Sequence, residues 1–224
     1  MATSTVEDYL KSIYLEERRR AGRLVAPGRI SAAMNVAPGT VTAMLKTLTE
    51  SGLVSYEPYA GVRLTEAGRK LAAHILRRHR LVEQFLVQVM GLDWSEVHQE
   101  AEILEHAVSD RIIDRMDDML GRPTVDPHGD PIPTAGGAID DTDHPNLLAC
   151  PLNTPMMIAR VIDQRAEYLQ LLERYHLMPG KRATVEERDV IAQTVKVAPE
   201  VGEPLQLGFH AASKILVRLI QPGS

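Results

Sequence analysis

Residues 97–110 read VHQEAEILEHAVSD, and their metal-type donors recur at helical spacing. Glu102, Glu105 and His106 follow His98 by four, seven and eight positions, so one helix face carries two imidazoles and two carboxylates. Like-charged carboxylates are costly to bring against protein unless a cation sits on them. Nitrogen and oxygen donors without sulfur suit Mn(II), Fe(II), Co(II), Ni(II) or Zn(II). The same residues also fit a solvated acidic helix face with two ordinary histidines. His79 and Glu83, four apart on the preceding helical stretch, could share a cation or pair with Arg77, Arg78 and Arg80. Asp8 lies in the first turn of another helix, where an acid also favours the helix dipole.

These donors need elements to carry them. Thr3, Ser4 or Thr5 can cap a helix with Val6, Tyr9, Leu10, Ile13 and Tyr14 as its apolar stripe. Arg29–Met34 reads as a short helix and Asn35-Val36-Ala37 as a turn. Pro38 starts a second helix that runs to Glu50 and stops at Gly52. LVSYEPYAGVRLT, residues 53–65, alternates on both sides of a turn, as a hairpin does. Helix, turn, helix and hairpin make a winged helix-turn-helix, whose second helix would enter the major groove of duplex DNA, although winged helices also serve as protein-interaction modules. Thr40 and Thr42 can meet base edges there, and Arg29, Lys46 and Arg63 suit phosphates. A long helix follows over 66–89, with Ala67, Leu71, Ile75, Leu81, Val82, Phe85 and Leu86 expected inside. Asp93-Trp94-Ser95-Glu96 caps the donor-bearing helix. The next helix, from Ser109 to Leu120, has Ile112, Ile113, Met116 and Met119 as its apolar face. So much apolar surface on a small module calls for a second copy of the chain.

Charge supports a nucleic-acid-binding front half. Residues 1–91 hold 13 Lys and Arg against 8 Asp and Glu, and the remainder hold 12 against 22, within a net charge of −5. Aromatic residues are only 4%, which argues against stacking on single strands as the main activity. The one cysteine, Cys150, excludes an intrachain disulfide framework and Cys-rich zinc motifs. The absence of a signal peptide and of long apolar runs leads to the expectation of a cytoplasmic protein with no membrane partner and no small organic substrate. A carboxylate-bridged di-metal oxidase would need Glu-x-x-His pairs on facing helices, and residues 1–150 contain none. A non-enzymatic regulator is therefore expected.

The stretches VEDYL at 6, TVTAMLKTLTESGLV at 40, RRHRLVEQFL at 77, EVHQEAEILEHAVSDRI at 96 and DPHGDPIP at 126 together resemble the diphtheria toxin repressor and manganese transport repressor family. The resemblance covers residues 6 to about 133 and implies two metal sites. Asp8, Glu102, Glu105 and His106 match the primary one, and His79, Glu83 and His98 match the ancillary one. The family's iron-responsive branch typically has Met and Cys where this chain has Asp8 and Glu102. Its small manganese-responsive members carry a further Glu where this chain has Lys11. In longer members a C-terminal domain supplies acidic or amide ligands to the ancillary site. Glu167, and less surely Gln164, fall near the corresponding place, although a surface acid beside a helix is the plainer reading.

Residues 121–146 are rich in proline and glycine and read as a linker, with His128 and His144 as loop histidines. After it, residues 156–163 alternate as a strand and Tyr168–His176 looks helical. RATVEERD, VIAQTVKVA, LQLGFH and KILVRLI supply further strands of a small barrel. LLERYHLMPG followed by a strand resembles the SH3-like domain of the same repressors and of a related iron-transport accessory protein.

The expected architecture is thus a mainly α N-terminal part followed by a small all-β SH3-like barrel. Residues 1–65 form the winged helix-turn-helix, 66–120 a helical dimerisation and metal-binding domain, 121–146 the linker and 147–224 the SH3-like domain. The resemblance implies a repressor that binds double-stranded operator DNA as a homodimer when loaded with a divalent cation. Mn(II) leads, with Fe(II), Co(II), Ni(II) or Zn(II) as alternatives. Other readings are an iron-responsive repressor or a winged-helix regulator controlled by a non-metal ligand.

Overall fold

Thr3 begins the first helix. Its backbone is extended and its hydroxyl accepts from the Val6 N–H at 3.4 Å, so α1 runs Ser4–Arg19. The computed structural model describes residues 3–20, 22–140 and 142–220. Asp141 of the expected linker and residues 221–224 of the expected C-terminal domain lie outside the described residues. By contact density the chain divides into two units. Unit 1 comprises Met1–His79, Glu105–Val108 and Pro133–Ile139, and unit 2 comprises Arg80–Leu104, Ser109–Ile132 and Asp140–Ser224.

In unit 1, Pro27 and Pro38 occupy the first turns of α2 (Pro27–Met34) and α3 (Pro38–Glu50), where a missing N–H costs nothing. Asn35 turns left-handed between them, and Gly52 does so after α3. Val41, Leu45 and Leu48 of α3 face the core, alongside Tyr9, Leu10, Ile13 and Tyr14 of α1. The wing strands β1 (Val54–Glu57) and β2 (Gly61–Leu64) pair antiparallel. The Thr65 hydroxyl then accepts from the Gly68 N–H at 3.1 Å at the start of α4 (Glu66–Gln88). A Cβ at Gly68 would lie 1.9 Å from the Leu53 carbonyl oxygen, so α4 approaches that chain through Gly68. The helix is rotated accordingly. Ala72, Ala73 and Leu76 are buried with Ile75, whereas Ala67, expected inside, is exposed.

The unit boundary falls inside α4 and again inside α5 (Val97–Ala107). Unit 2 continues with α6 (Asp110–Met119), β3 (Met156–Val161), α7 (Ala166–Arg174), β4 (Arg182–Asp189), β5 (Thr194–Pro199), β6 (Leu205–Gly208), the single turn α8 (Phe209–Ala212) and β7 (Ile215–Leu219). The five strands form one antiparallel sheet in the order β6-β5-β4-β3-β7. Irregularities between Ile158 and Arg160 and between Val185 and Glu187 are the bulges that bend such a sheet. Alternate residues Met156, Ile158, Val185, Val195, Val197 and Val217 pack on Leu169 and Leu172 of α7. The helix expected over 168–176 starts two residues earlier and ends before His176, whose φ is +54°.

Residues 121–146 are not a bare spacer. Val125 and Pro131 form an antiparallel bridge, and Asp126, His128, Asp130 and Ile132 between and beside them are buried. Gly129 has φ +84°, and a Cβ there would meet the Ala159 carbonyl oxygen at 2.0 Å, so the turn lies directly on β3. The His128 carbonyl accepts from the Val161 N–H at 2.8 Å. No helix of the described residues is long and apolar enough to cross a membrane.

Candidate metal centres

Unit 1 gathers ionisable side chains from three helices. The first two turns of α1 offer Glu7, Asp8 and Lys11, which share a face through their spacing. The last turn of α5 offers Glu105 and His106, and α4 offers His79. His106 is held on both ring nitrogens, Nδ1 lying 2.7 Å from Glu7 Oε2 and Nε2 lying 2.9 Å from Asp8 Oδ1. Glu105 Oε1 is 3.4 Å from the same Nε2. Asp8, expected to be either a ligand or a dipole-stabilising acid, thus meets His106 across the fold.

Glu105 is almost wholly buried and meets two nitrogens, Lys11 Nζ at 2.6 Å and His79 Nδ1 at 2.5 Å. Burial pushes its carboxyl up, but the His79 contact and the Lys11 ammonium outweigh that and hold it below the usual range. Burial works to lower the His106 pKa, yet the hydrogen bond to Glu7 and the charges of Glu105 and Asp8 raise it overall. One donor atom each from Asp8, Glu105 and His106 lies within 4.8 Å of the others. Asp8 and Glu105 converge on Nε2 of His106, while Glu7 holds Nδ1 on the other side of the ring, so the ligand set is Asp8, Glu105 and the Nε2 of His106. This set fits a hard divalent cation by charge and donor type. Sequence reasoning missed Glu7, because a first-turn acid is ambiguous until its partner is known.

Unit 2 holds a second cluster. Glu83 on α4 reaches His98 of α5, with Oε1 3.1 Å from Nδ1, and His98 Nε2 lies 3.6 Å from Glu102. Expected as a loop histidine, His128 is instead buried and stacks on Trp94 at 5.6 Å. Its Nε2 lies 2.8 Å from the Trp94 carbonyl oxygen. A carbonyl only accepts, so Nε2 carries a proton, and in the neutral ring it is Nδ1 that offers a lone pair. That Nδ1 is buried without a hydrogen-bond partner, 4.0 Å from both Glu83 Oε2 and Asp126 Oδ1. The gap exceeds a hydrogen bond, and its three donors suit a cation. Glu83, Asp126 and His128 are all buried and offer ligand atoms within 4.8 Å of one another.

Arginines and a third carboxylate, Asp130, surround this cluster. Asp126 accepts from the backbone N–H groups of His128 and Asp130, both at 2.9 Å. Burial, then the charges of Asp130 and Glu83, raise its carboxyl well above the usual range against the opposing effect of Arg80. Arg80 lies 3.5 Å from Asp126 and 3.6 Å from Asp130, and Arg160 pairs with Asp130. Glu167, expected as an ancillary ligand, is exposed on the first turn of α7 and belongs to no ligand group among the described residues. The nearby Gln164 turns inward and donates to Asp130 at 2.8 Å. Glu167 in the first turn points outward there, whereas Gln164, two residues before the helix, faces the loop that carries Asp130. The overlooked signal was DPHGDP itself, whose Asp, His and Asp recur at two-residue intervals in a turn rather than on a helix.

The expected DNA contacts fall on unit 1. Thr40, Lys46, Arg29 and Arg63 are exposed. Thr42 is half-buried and its hydroxyl donates to the Pro38 carbonyl at 3.1 Å, while Arg29 lies 3.6 Å from Glu16.

Residues 1–62 match the family described as iron dependent repressor, N-terminal DNA binding domain, and residues 65–134 match iron dependent repressor, metal binding and dimerisation domain. Residues 146–219 match the FeoA domain. The iron-dependent repressor IdeR of Mycobacterium tuberculosis is 35% identical over 198 residues, covering 81% of this chain and 84% of that one. The diphtheria toxin repressor of Corynebacterium glutamicum is 31% identical over 199 residues, covering 86% of each. A solved manganese-dependent transcriptional repressor in complex with manganese superposes with a TM-score of 0.84 at 35% identity, over 96% of this chain and all of that one. With its winged helix, its carboxylate–histidine centre and its bent C-terminal sheet, the chain belongs to the diphtheria toxin repressor and manganese transport repressor family of metal-dependent transcriptional repressors.

Proposed function

We propose that this repressor responds to Mn(II) and binds operator DNA as a homodimer in the cytoplasm. Asp8, Glu105 and His106, with Glu102 one helical turn earlier on α5, are its proposed primary ligands. The observation that carries the reading is the convergence of Asp8 Oδ1 and Glu105 on His106 Nε2, at 2.9 and 3.4 Å. It joins the start of α1 to the end of α5 through ligand-type atoms alone. For a second site we propose Glu83 with Asp126 and His128. His79 and His98, ancillary ligands by the resemblance, sit against Glu105 and Glu83 respectively.

A divalent cation held at the primary site would add two positive charges beside Asp8 and Glu105, the second of which the chain pairs with Lys11. The chain's own residues then do the coupling. Asp8 fixes the N-terminal end of α1, a helix of 16 residues and so about 24 Å long. At its far end Glu17 is buried, accepts from the Leu64 N–H of the wing at 2.7 Å and pairs with Arg69 of α4 at 2.9 Å. Seating α1 at Asp8 therefore seats the wing, beside α3 with its proposed groove contacts Thr40, Thr42 and Lys46. Arg29 and Arg63 are the proposed phosphate contacts. Ile103, Ile112 and Met119 in unit 2 are 66%, 49% and 62% exposed, an apolar surface suited to a second copy.

The manganese reading is supported by the all-oxygen-and-nitrogen donor set and by the manganese-bound relative. An iron-responsive repressor is the second reading, because the relative that is 35% identical over 198 residues is an iron-dependent repressor. Operator binding measured at matched free Mn(II), Fe(II), Co(II), Ni(II) and Zn(II) separates them. Fe(II) binds such a site more tightly than Mn(II), so the extent of activation at saturation decides, and full activation by Fe(II) with little or none by Mn(II) would reject the first.

A further inference from the structure

The wing ends in a turn that its own energetics do not explain. Glu57 pairs with Gly61, leaving Pro58, Tyr59 and Ala60 to connect β1 and β2. The Ala60 N–H donates to the Glu57 carbonyl at 3.1 Å, which closes a four-residue turn with Pro58 second and Tyr59 third. Tyr59 has φ +67°. At that place in a turn, Gly or Asn is favoured, and an aromatic side chain works against the backbone. The ring gains nothing from burial in return, since Tyr59 is 106% exposed. Every other Phe, Tyr and Trp of the described residues is buried or half-buried.

Below the tip, the hairpin is braced. Val25 and Val62 exchange two backbone hydrogen bonds, at 2.8 and 2.9 Å. Gly61 sits so close to that bridge that a Cβ would lie 2.9 Å from the Val25 carbonyl oxygen. A ring held at a disfavoured φ, on a rigid base and in open solvent, is preorganised for something outside the chain. The partner is indicated by what shares its surface. The same domain carries α3 with exposed Thr40 and Lys46, and exposed Arg63 lies on β2 opposite Ser55.

We infer that Tyr59 is a DNA-contacting residue. Its ring packs on a deoxyribose, and its hydroxyl donates to a phosphate oxygen, on the strand flanking the groove entered by α3. A neutral side chain of this kind fixes register on the duplex without neutralising a phosphate. The inference rests on the proposal that α3 enters the major groove.

The test uses the full-length, Mn(II)-loaded protein and a duplex that it selects from a random-sequence library. Tyr59→Gly and Tyr59→Asn both suit the left-handed backbone and remove the ring. Their melting temperatures should equal or exceed that of the unaltered protein. Their affinity, by fluorescence anisotropy, should fall about tenfold with the log–log salt slope unchanged. Tyr59→Phe should lose about threefold, the share of the hydroxyl. Lys46→Ala is the control, expected to weaken binding and flatten the slope by about one unit. If Lys46→Ala weakens binding while Tyr59→Gly and Tyr59→Asn bind within about twofold of the unaltered protein, the Tyr59 contact is wrong and the groove reading stands. If Lys46→Ala also leaves binding unaltered, the groove reading fails, and the Tyr59 contact fails with it.

Discussion

Glu105 in unit 1 and Asp126 in unit 2 are both almost fully buried, yet their carboxyl pKa values move in opposite directions. Burial raises both. Around Glu105 the His79 imidazole and the Lys11 ammonium reverse the effect. Around Asp126 the nearest charges include Asp130 and Glu83, and Arg80 offsets them only in part. The difference separates two ways of tolerating a buried acid. Unit 1 carries cations of its own, so a metal must compete with Lys11 and with the His106 proton. In unit 2 Arg80 offsets the acidic neighbours of Asp126 only in part, so the proposed metal would add positive charge to that of the arginines.

The largest effect expected from this contrast is at His106. His106→Ala removes the nitrogen on which Asp8 and Glu105 converge and should weaken metal-dependent operator binding by roughly 100-fold or more. Anisotropy at saturating Mn(II) checks it, and a loss of tenfold or less would move the primary site elsewhere. Lys11→Met should separate competition from structure. Without metal, Glu105 loses its ammonium at a cost of about 1–3 kcal/mol in urea unfolding. Mn(II) affinity by titration calorimetry should instead rise about tenfold. A fall in both would make Lys11 a supporter of the site rather than a competitor.

In unit 2 the sign is opposite. Asp126→Asn removes one of three crowded carboxylates, so the metal-free melting temperature should rise by about 2–4 °C. The number of bound Mn(II) ions per chain should fall by one. A lower melting temperature would mean that Asp126 is already well compensated. Glu167→Ala marks the small end of the scale. Stability should stay within about 0.5 kcal/mol, with unchanged metal content by mass spectrometry of the native protein. Loss of an ion there would restore Glu167 as a ligand.

The helices and strands were legible because hydrophobic period and turn chemistry are local. Thr3, Pro38, Gly52 and Thr65 delimit elements by their own backbone chemistry. The stripe on α5 was legible too, since spacing assigns residues to a face. Spacing does not say what covers that face. Glu7 and Asp8 look alike in a first turn, and only the approach of α5 gives both to His106. Ala67 looked as apolar as Ala72, and the close passage of Gly68 against Leu53 decides which is buried. The DPHGDP turn looked like a spacer because proline and glycine dominate it. Its burial depends on β3, roughly 30 residues later.

That dependence gives Gly129 a consequence for the order in which the chain is made. Glu83, Asp126 and His128 leave the ribosome before the backbone they rest on. At about 5–20 residues per second, β3 follows His128 by about 2–6 s. For that interval the donors exist without the Ala159 carbonyl against which the glycine turn is seated. A nascent chain stopped near residue 140 would carry every proposed ligand of the second site and lack the strand that aims them. The proposed second site is therefore completed late in synthesis, whereas the proposed primary ligands Asp8, Glu105 and His106 are all in hand once residue 106 has emerged.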